Sequence, residues 1–230
     1  MTELALARPL VPVTMSEIPG PETASKRRLI AAGERLLGLK GFGGVALQEI
    51  ATAAGQANKY AVQYHFGDLD GLIRAIFTLR LRWIHDRRAA LLDRAKALGL
   101  IGNVDALIEA LFVPLAEQLD DDGRHSYARF WLQYTARPDY DASNDTLFSI
   151  ADTPAEQLFR HLAEALAIDI VEAHDRFGVQ FSVLPYTLID RDNRRNRNED
   201  APLDRVLVRA IRSVSAALET AIPSLSAISA

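Results

Sequence analysis

Between residues 24 and 72 the chain reads ASKRRLIAAGERLLGLKGFGGVALQEIATAAGQANKYAVQYHFGDLDGL, and the punctuation of this segment confines it to a cluster of short helices. Leu29, Ile30, Ala32, Leu36 and Leu37 recur at the spacing of a helix with one apolar face. That helix should stop near Lys40, where Gly41 can adopt the left-handed cap conformation, and Phe42 should fold back into the small core. Leu47, Ile50 and Ala51 make a second, shorter apolar face, and Ala53 and Ala54 are small enough for a crossing helix to approach. Gly55 supplies a sharp turn. A third helix is predicted over 57–64, polar at Asn58, Lys59 and Gln63 and apolar at Ala61 and Val62, and Asp68 is a good N-cap for a fourth. Two helices joined by such a turn are the arrangement that lays a helix in the DNA major groove.

Three anchors stand at fixed distances within this segment: Lys40-Gly41-Phe42, then Ile50-Ala51-Thr52-Ala53-Ala54-Gly55, then Tyr64-His65-Phe66. In residue type and order they resemble the N-terminal domain of TetR-family transcriptional regulators, over about 50 residues. The sequence departs from that pattern in three places. Ala46 stands where the family often has a capping Thr or Ser, Leu69 where it often has Lys, and the stretch from Gly55 to Phe66 is one residue longer. The resemblance implies an all-α protein with a three-helix DNA-binding head and a helical body that binds an effector and forms a dimer. It also implies phosphate contacts from Tyr64 and His65 at the end of the recognition helix. Asn58 and Gln63 suit adenine, and Lys59 suits guanine or phosphate. Tyr60 belongs to the same surface, with Gln48 and Lys26 as backbone candidates.

Charge is divided along the chain in the same sense. The net charge is -4, yet residues 24–90 carry 11 Lys or Arg against 5 Asp or Glu, while residues 91–230 carry 14 against 22. A basic head on an acidic body suits a module that neutralises phosphates. With 230 residues the chain can bury a sizeable core, and its 49% hydrophobic content is ordinary for a globular protein. No apolar run reaches the roughly 18 residues of a membrane span, and no secretory signal opens the chain. The absence of cysteine excludes disulfides and thiolate metal sites and fits a cytoplasmic protein.

The expected organisation is a mobile arm over 1–22, where Pro9, Pro12, Pro19 and Pro21 interrupt any periodicity, a DNA-binding head over 23–70 and an effector-binding and dimerisation domain over 71–225. A long helix is predicted over 68–98, with Arg74, Arg80, Arg82, Arg87 and Arg88 lining its non-apolar faces. Further helices are predicted at 103–119, 124–137, 153–167, 169–192 and 203–221, with Pro185 kinking the penultimate one or shifting its boundary.

The last two helices carry apolar stripes. Phe177, Phe181, Leu184 and Leu188 form one; Leu207, Ile211 and Val214 belong to the other. On spacing alone, the stripes either pack within one chain or join two chains in a four-helix bundle. The family resemblance selects the second, giving a homodimer whose two heads meet two half-sites of a DNA operator. Aromatic residues gather at Phe112, Phe130, Trp131, Tyr134 and Phe159. They are either core or the wall of a pocket for an apolar small molecule, with Tyr134 and Gln133 as polar handles and Arg129 or Arg137 for a carboxylate.

No catalytic motif is present, and neither a cofactor nor a metal is expected. Asp120 to Asp122 with His125 lack the spacing of a hard-ion loop, and Glu172, His174 and Asp175 do not share a helical face. The expectation is therefore a dimeric repressor released from its operator by a small molecule. The alternatives are a DNA-binding regulator whose body takes no ligand or binds protein, and a helical enzyme.

Overall fold

Ten helices follow one another along the described part of the chain, which in this computed structural model comprises residues 3–140, 153–199 and 201–220. They are α1 (Ala24–Lys40), α2 (Leu47–Ala53), α3 (Ala61–Phe66), α4 (Leu69–Ala97), α5 (Val104–Ala116), α6 (Ser126–Thr135), α7 (Pro154–Leu166), α8 (Ile170–Gln180), α9 (Val183–Arg195) and α10 (Leu203–Glu219). The protein is all-α apart from two two-residue strands. The first three helices pack with the start of α4 as a head. The rest of α4 enters the body, where α5 is buried at the centre against α4, α7 and α10. The predicted end of the last helix and the limit of the second domain, 221–225, lie outside the described residues.

Local chemistry sets most boundaries where the sequence places them. The Thr23 hydroxyl accepts from the Lys26 amide at 3.3 Å and starts α1. Asp68 accepts from Gly71 N at 2.7 Å and starts α4. Gly41 and Gly99, at φ 74° and 68°, end α1 and α4. Pro185 divides the predicted penultimate helix: the chain breaks at Phe181–Ser182, and the proline falls in the first turn of α9, where its missing N–H costs nothing.

The N-terminal arm corrects the sequence reading. Instead of a mobile segment, residues from Leu4 to Ile18 lie against the body, with Leu4, Leu6, Ala7, Val13, Met15 and Ile18 buried. The carboxylate of Glu109, fully buried on α5, accepts the amides of Ala5 at 2.8 Å and of Leu6 and Ala7 at 2.7 Å. Glu117 accepts Val11 N at 2.7 Å, and Val13–Thr14 pairs in parallel with Gln118–Leu119. Arg27 donates to the carbonyls of Met15, Ile18 and Gly20. Prolines excluded a helix here, but they did not exclude order, because two buried carboxylates and one guanidinium supply the partners this backbone lacks.

The dimerisation stripes are also corrected. Leu184, Leu188, Leu207, Ile211 and Val214 are each no more than 1% exposed within the single chain. They face α5 and one another rather than solvent. Phe177 and Phe181 turn inward as well, to Phe112 at 5.7 and 6.4 Å between ring centroids. An apolar stripe reports that a face is buried, not whether its cover comes from the same chain.

Candidate DNA-reading surface and effector cavity

The head exposes the residues expected to meet DNA, although the recognition helix starts later than predicted. Asn58 Oδ1 captures the amide of Tyr60 at 2.9 Å, and Asn58 O accepts from Ala61 N at 3.1 Å. This Asx turn competes with helix and delays α3 to Ala61. Asn58, Lys59 and Tyr60 therefore form the turn leading into α3, while Ala61 and Val62 are buried beneath it. All three turn residues are exposed, as are Gln63 and Tyr64, the latter to 80%. Lys59 Nζ lies 5.0 Å from the centre of the Tyr60 ring and makes no ion pair among the described residues. His65 is half-buried and packs edge-on to Tyr64 at 4.9 Å. Gln48 is exposed on α2, Lys26 is half-buried on the first turn of α1, and Ala46 gives α2 no side-chain cap.

The basic excess of the head is partly spent internally. Arg27 and Arg82 hold the arm, Arg87 pairs with Glu117 at 2.8 Å, and Arg80 and Arg88 are buried. Lys40 pairs with Glu49. The charge available to phosphate is thus concentrated on Lys26, Arg28, Arg35, Lys59 and Arg74, which form no ion pair among the described residues.

A polar joint fastens head to body. Glu34 on α1 and Arg80 on α4 are 1% and 0% exposed and meet through two hydrogen bonds of 2.8 and 2.7 Å. Ser126, at the start of α6, donates to the same carboxylate, and Arg80 also donates to Leu119 O. One turn on, α1 and α6 touch at Gly38, where a Cβ would stand 2.9 Å from Phe130 N. Phe42 then reaches over the end of α1 to Phe130 at 5.6 Å and Tyr134 at 5.9 Å. The other side of α6 is tied to α9. His125 Nδ1 and its backbone N both lie 2.8 Å from the Asp192 carboxylate, and Arg129 donates to Asn193 at 2.7 Å. Burial alone would raise the Asp192 pKa, but the hydrogen bonds and charge of His125 outweigh it and hold the carboxyl below its ordinary value. Nε2 of His125 faces Ala116 O at 3.2 Å, so both ring nitrogens face acceptors.

A cavity of about 550 Å³ opens between α4, α5, α6, α7 and α8. Of the aromatic residues proposed from sequence, it gathers Trp131 and Phe159; Phe112, Phe130 and Tyr134 are packed in the core instead. Phe177 and Phe181, assigned from sequence to a dimer contact, belong to its wall. So do Leu132 and Thr135, which puts one side of α6 on the cavity while Phe130 and Tyr134 contact the head. The expected polar handles are elsewhere. Arg137 lies over the Tyr134 ring at 4.1 Å and pairs with Asp139, Arg129 is taken by Asn193, and Gln133 is exposed.

Three of the cavity's polar groups, Arg88, His85 and His174, are not ones the sequence reading placed there. Arg88 Nη2 donates to Leu111 O at 3.0 Å, while its buried Nε has no partner among the described residues. Burial pushes its pKa down to about 10, so it remains a cation at neutral pH. Burial also lowers the pKa of His85 and His174, and Nε2 of His174 is buried without a partner among the described residues.

Metal ligation gains no geometry. Asp120 caps its own turn by accepting from Asp122 N at 3.0 Å and Arg124 N at 2.8 Å, while His125 turns inward. No group of three or more metal-ligating side chains forms among the described residues, and no described helix is long and apolar enough to cross a membrane.

No family model and no curated protein matches the chain. Among solved structures it is similar to the multidrug binding protein EbrR, crystallised with imidazole. The two share 20% identity over 90% of this chain and 99% of that chain, with a TM-score of 0.41.

Proposed function

We propose that this protein is a DNA-binding transcriptional regulator whose affinity for its operator is set by a small molecule in the body cavity. The observation that carries the reading is the position of α6. Its Phe130 and Tyr134 pack on Phe42 of the head, and its Trp131, Leu132 and Thr135 wall the cavity. A ligand that displaces α6 necessarily loads the contact with α1, because Gly38 leaves no slack there. Ligand and DNA then favour different head positions, and each weakens the other's binding by the same factor. Repression relieved by ligand is the mode this coupling suits.

The reading includes a homodimer, since a head this small reads a half-site and two-fold pairing doubles the contact. The buried stripes are committed to the core, so pairing has to use outward faces; Tyr186 on α9, 71% exposed, is the largest apolar side chain available on the last two helices. The cytoplasm is the compartment such a function requires.

The test is selection of duplexes from a random library, followed by titration at several salt concentrations. Lys59→Ala should weaken binding by about 1–3 kcal/mol, with relaxed preference at one base pair if it reads a base. If it touches phosphate only, the loss is uniform and the salt slope falls by about one. Absence of any salt-dependent duplex binding by the wild type would end the reading. A chain that sediments as a monomer while bound at full affinity would remove the dimer from it.

A further inference from the structure

The cavity wall combines an apolar surface with a buried cation that lacks an acid. Leu81, Leu111, Trp131, Phe159, Phe177 and Phe181 provide the first. Arg88 provides the second: it is 92% buried, its Nε–H has no partner, and no carboxylate reaches it among the described residues. Among the described residues no Asp or Glu lines the cavity. Nε2 of His174 adds a second buried polar atom without a partner, and His85 stands close enough to Arg88 to feel its charge. A buried guanidinium without a counter-charge is costly, and that cost is relieved when an anion binds.

We propose that the ligand of this cavity is an aromatic monocarboxylate, its carboxylate held by Arg88 and its ring among Trp131, Phe159, Phe177 and Phe181. One unpaired guanidinium balances one negative charge, which favours a monoanion over a phosphate dianion. The apolar wall gives a free inorganic anion nothing in return for its hydration. An organic cation meets Arg88 with repulsion and, among the described residues, no acid to offset it. The volume of about 550 Å³ admits a molecule of this class whole. The inference rests on the cavity being an effector site and specifies what that site accepts.

The test is calorimetric titration of the full chain with 4-phenylbutyrate, its primary amide and 4-phenylbutylamine, three probes of one shape and different charge. The acid should bind about tenfold or more tightly than the amide, since its hydrogen bonds to Arg88 are charge-assisted, and the amine should not bind. Arg88→Gln should abolish the preference for the acid and leave the amide's affinity in place, which also reports that the variant folds. Arg88→Lys should retain part of the preference. An amide or amine that binds as tightly as the acid, no binding of any probe at millimolar concentration, or a preference that survives Arg88→Gln overturns the proposal; should Arg88→Gln not fold, the wild-type series decides alone. Operator release separates this from the functional reading. An acid that binds through Arg88 without altering DNA affinity sinks the regulator and spares the site, whereas release by neutral compounds with no preference for acids does the reverse.

Discussion

Arg80 and Arg88 sit eight residues apart on α4, both buried, in surroundings that treat the same guanidinium in opposite ways. At the joint, Arg80 meets Glu34 in a two-pronged ion pair, with Leu119 O taking a further donor. At the cavity, Arg88 has one backbone carbonyl and, among the described residues, no acid. A paired buried charge fixes geometry, because every departure from that geometry leaves a charge exposed to a low dielectric. An unpaired one stores a cost that a bound anion can release. The first kind of site holds the head on the body; the second waits for a partner from outside. The helix that carries both thus has one end built to be complete and another built to be incomplete.

The sharpest way to break this comparison is to make Arg80 resemble Arg88. Glu34→Ala strands Arg80 in the core and should destabilise the protein by about 3–5 kcal/mol, read from urea denaturation. Glu34→Leu with Arg80→Met, which removes both charges, should cost far less than the two single changes summed, because no ion is left unpaired. If the double variant is as unstable as the sum, pairing is not what distinguishes the joint.

The buried pair of His125 and Asp192 tests whether the principle extends along α6. Asp192→Asn takes the carboxylate acceptor from His125 and should cost about 2–3 kcal/mol at neutral pH. The Asp192 carboxyl has a lower pKa folded than unfolded, since His125 outweighs burial. Its contribution is therefore complete above the unfolded carboxylate value of about 4 and is lost as pH falls through the lower folded value. Wild type and Asp192→Asn should accordingly begin to converge in stability below about pH 4 and meet only once pH has passed the lower folded value. A gap that stays constant from neutral to acid pH would show that the pair acts by packing alone.

Sequence made much of this readable, and the unreadable part has a physical pattern. The head was legible because caps and turns are local: Asp68, Gly41 and Gly55 act within a few residues of where they stand. The start of α3 was missed by an equally local competitor, the Asn58 side chain. The arm was misread because its order comes from Glu109 and Glu117, a hundred residues away. The dimer stripe was misread because spacing left its cover open and only the family resemblance chose a second chain. Arg88 was readable in principle. Ile73, Phe77, Arg80, Ile84, Arg88, Leu91 and Ala95 recur at intervals of three and four, so both arginines occupy positions on the buried face of α4. A charge in an apolar stripe is a signal that something pairs with it; only the structure shows that Glu34 serves one and that no described carboxylate serves the other.

The smallest expected effect probes the incomplete end. Arg88→Met keeps much of the side chain's length and removes its charge. The change loses the hydrogen bond to Leu111 O, worth about 1 kcal/mol, and removes a desolvated cation whose pKa the fold pushes down to about 10. A cation with a lower pKa folded than unfolded penalises folding at every pH below the folded value, so at neutral pH the whole penalty is present and the variant escapes it. The balance should favour Arg88→Met by about 1 kcal/mol, a rise of roughly 2–4 °C in Tm for a chain of this size. The corresponding change at Arg80 should lower Tm, because it strands Glu34. Adding 4-phenylbutyrate should then raise the Tm of the wild type clearly more than that of Arg88→Met, since only the wild type has a charge to satisfy. If Arg88→Met instead loses stability as Arg80→Met does, Arg88 is a structural residue with a partner in solution, and the contrast between the two ends of α4 disappears.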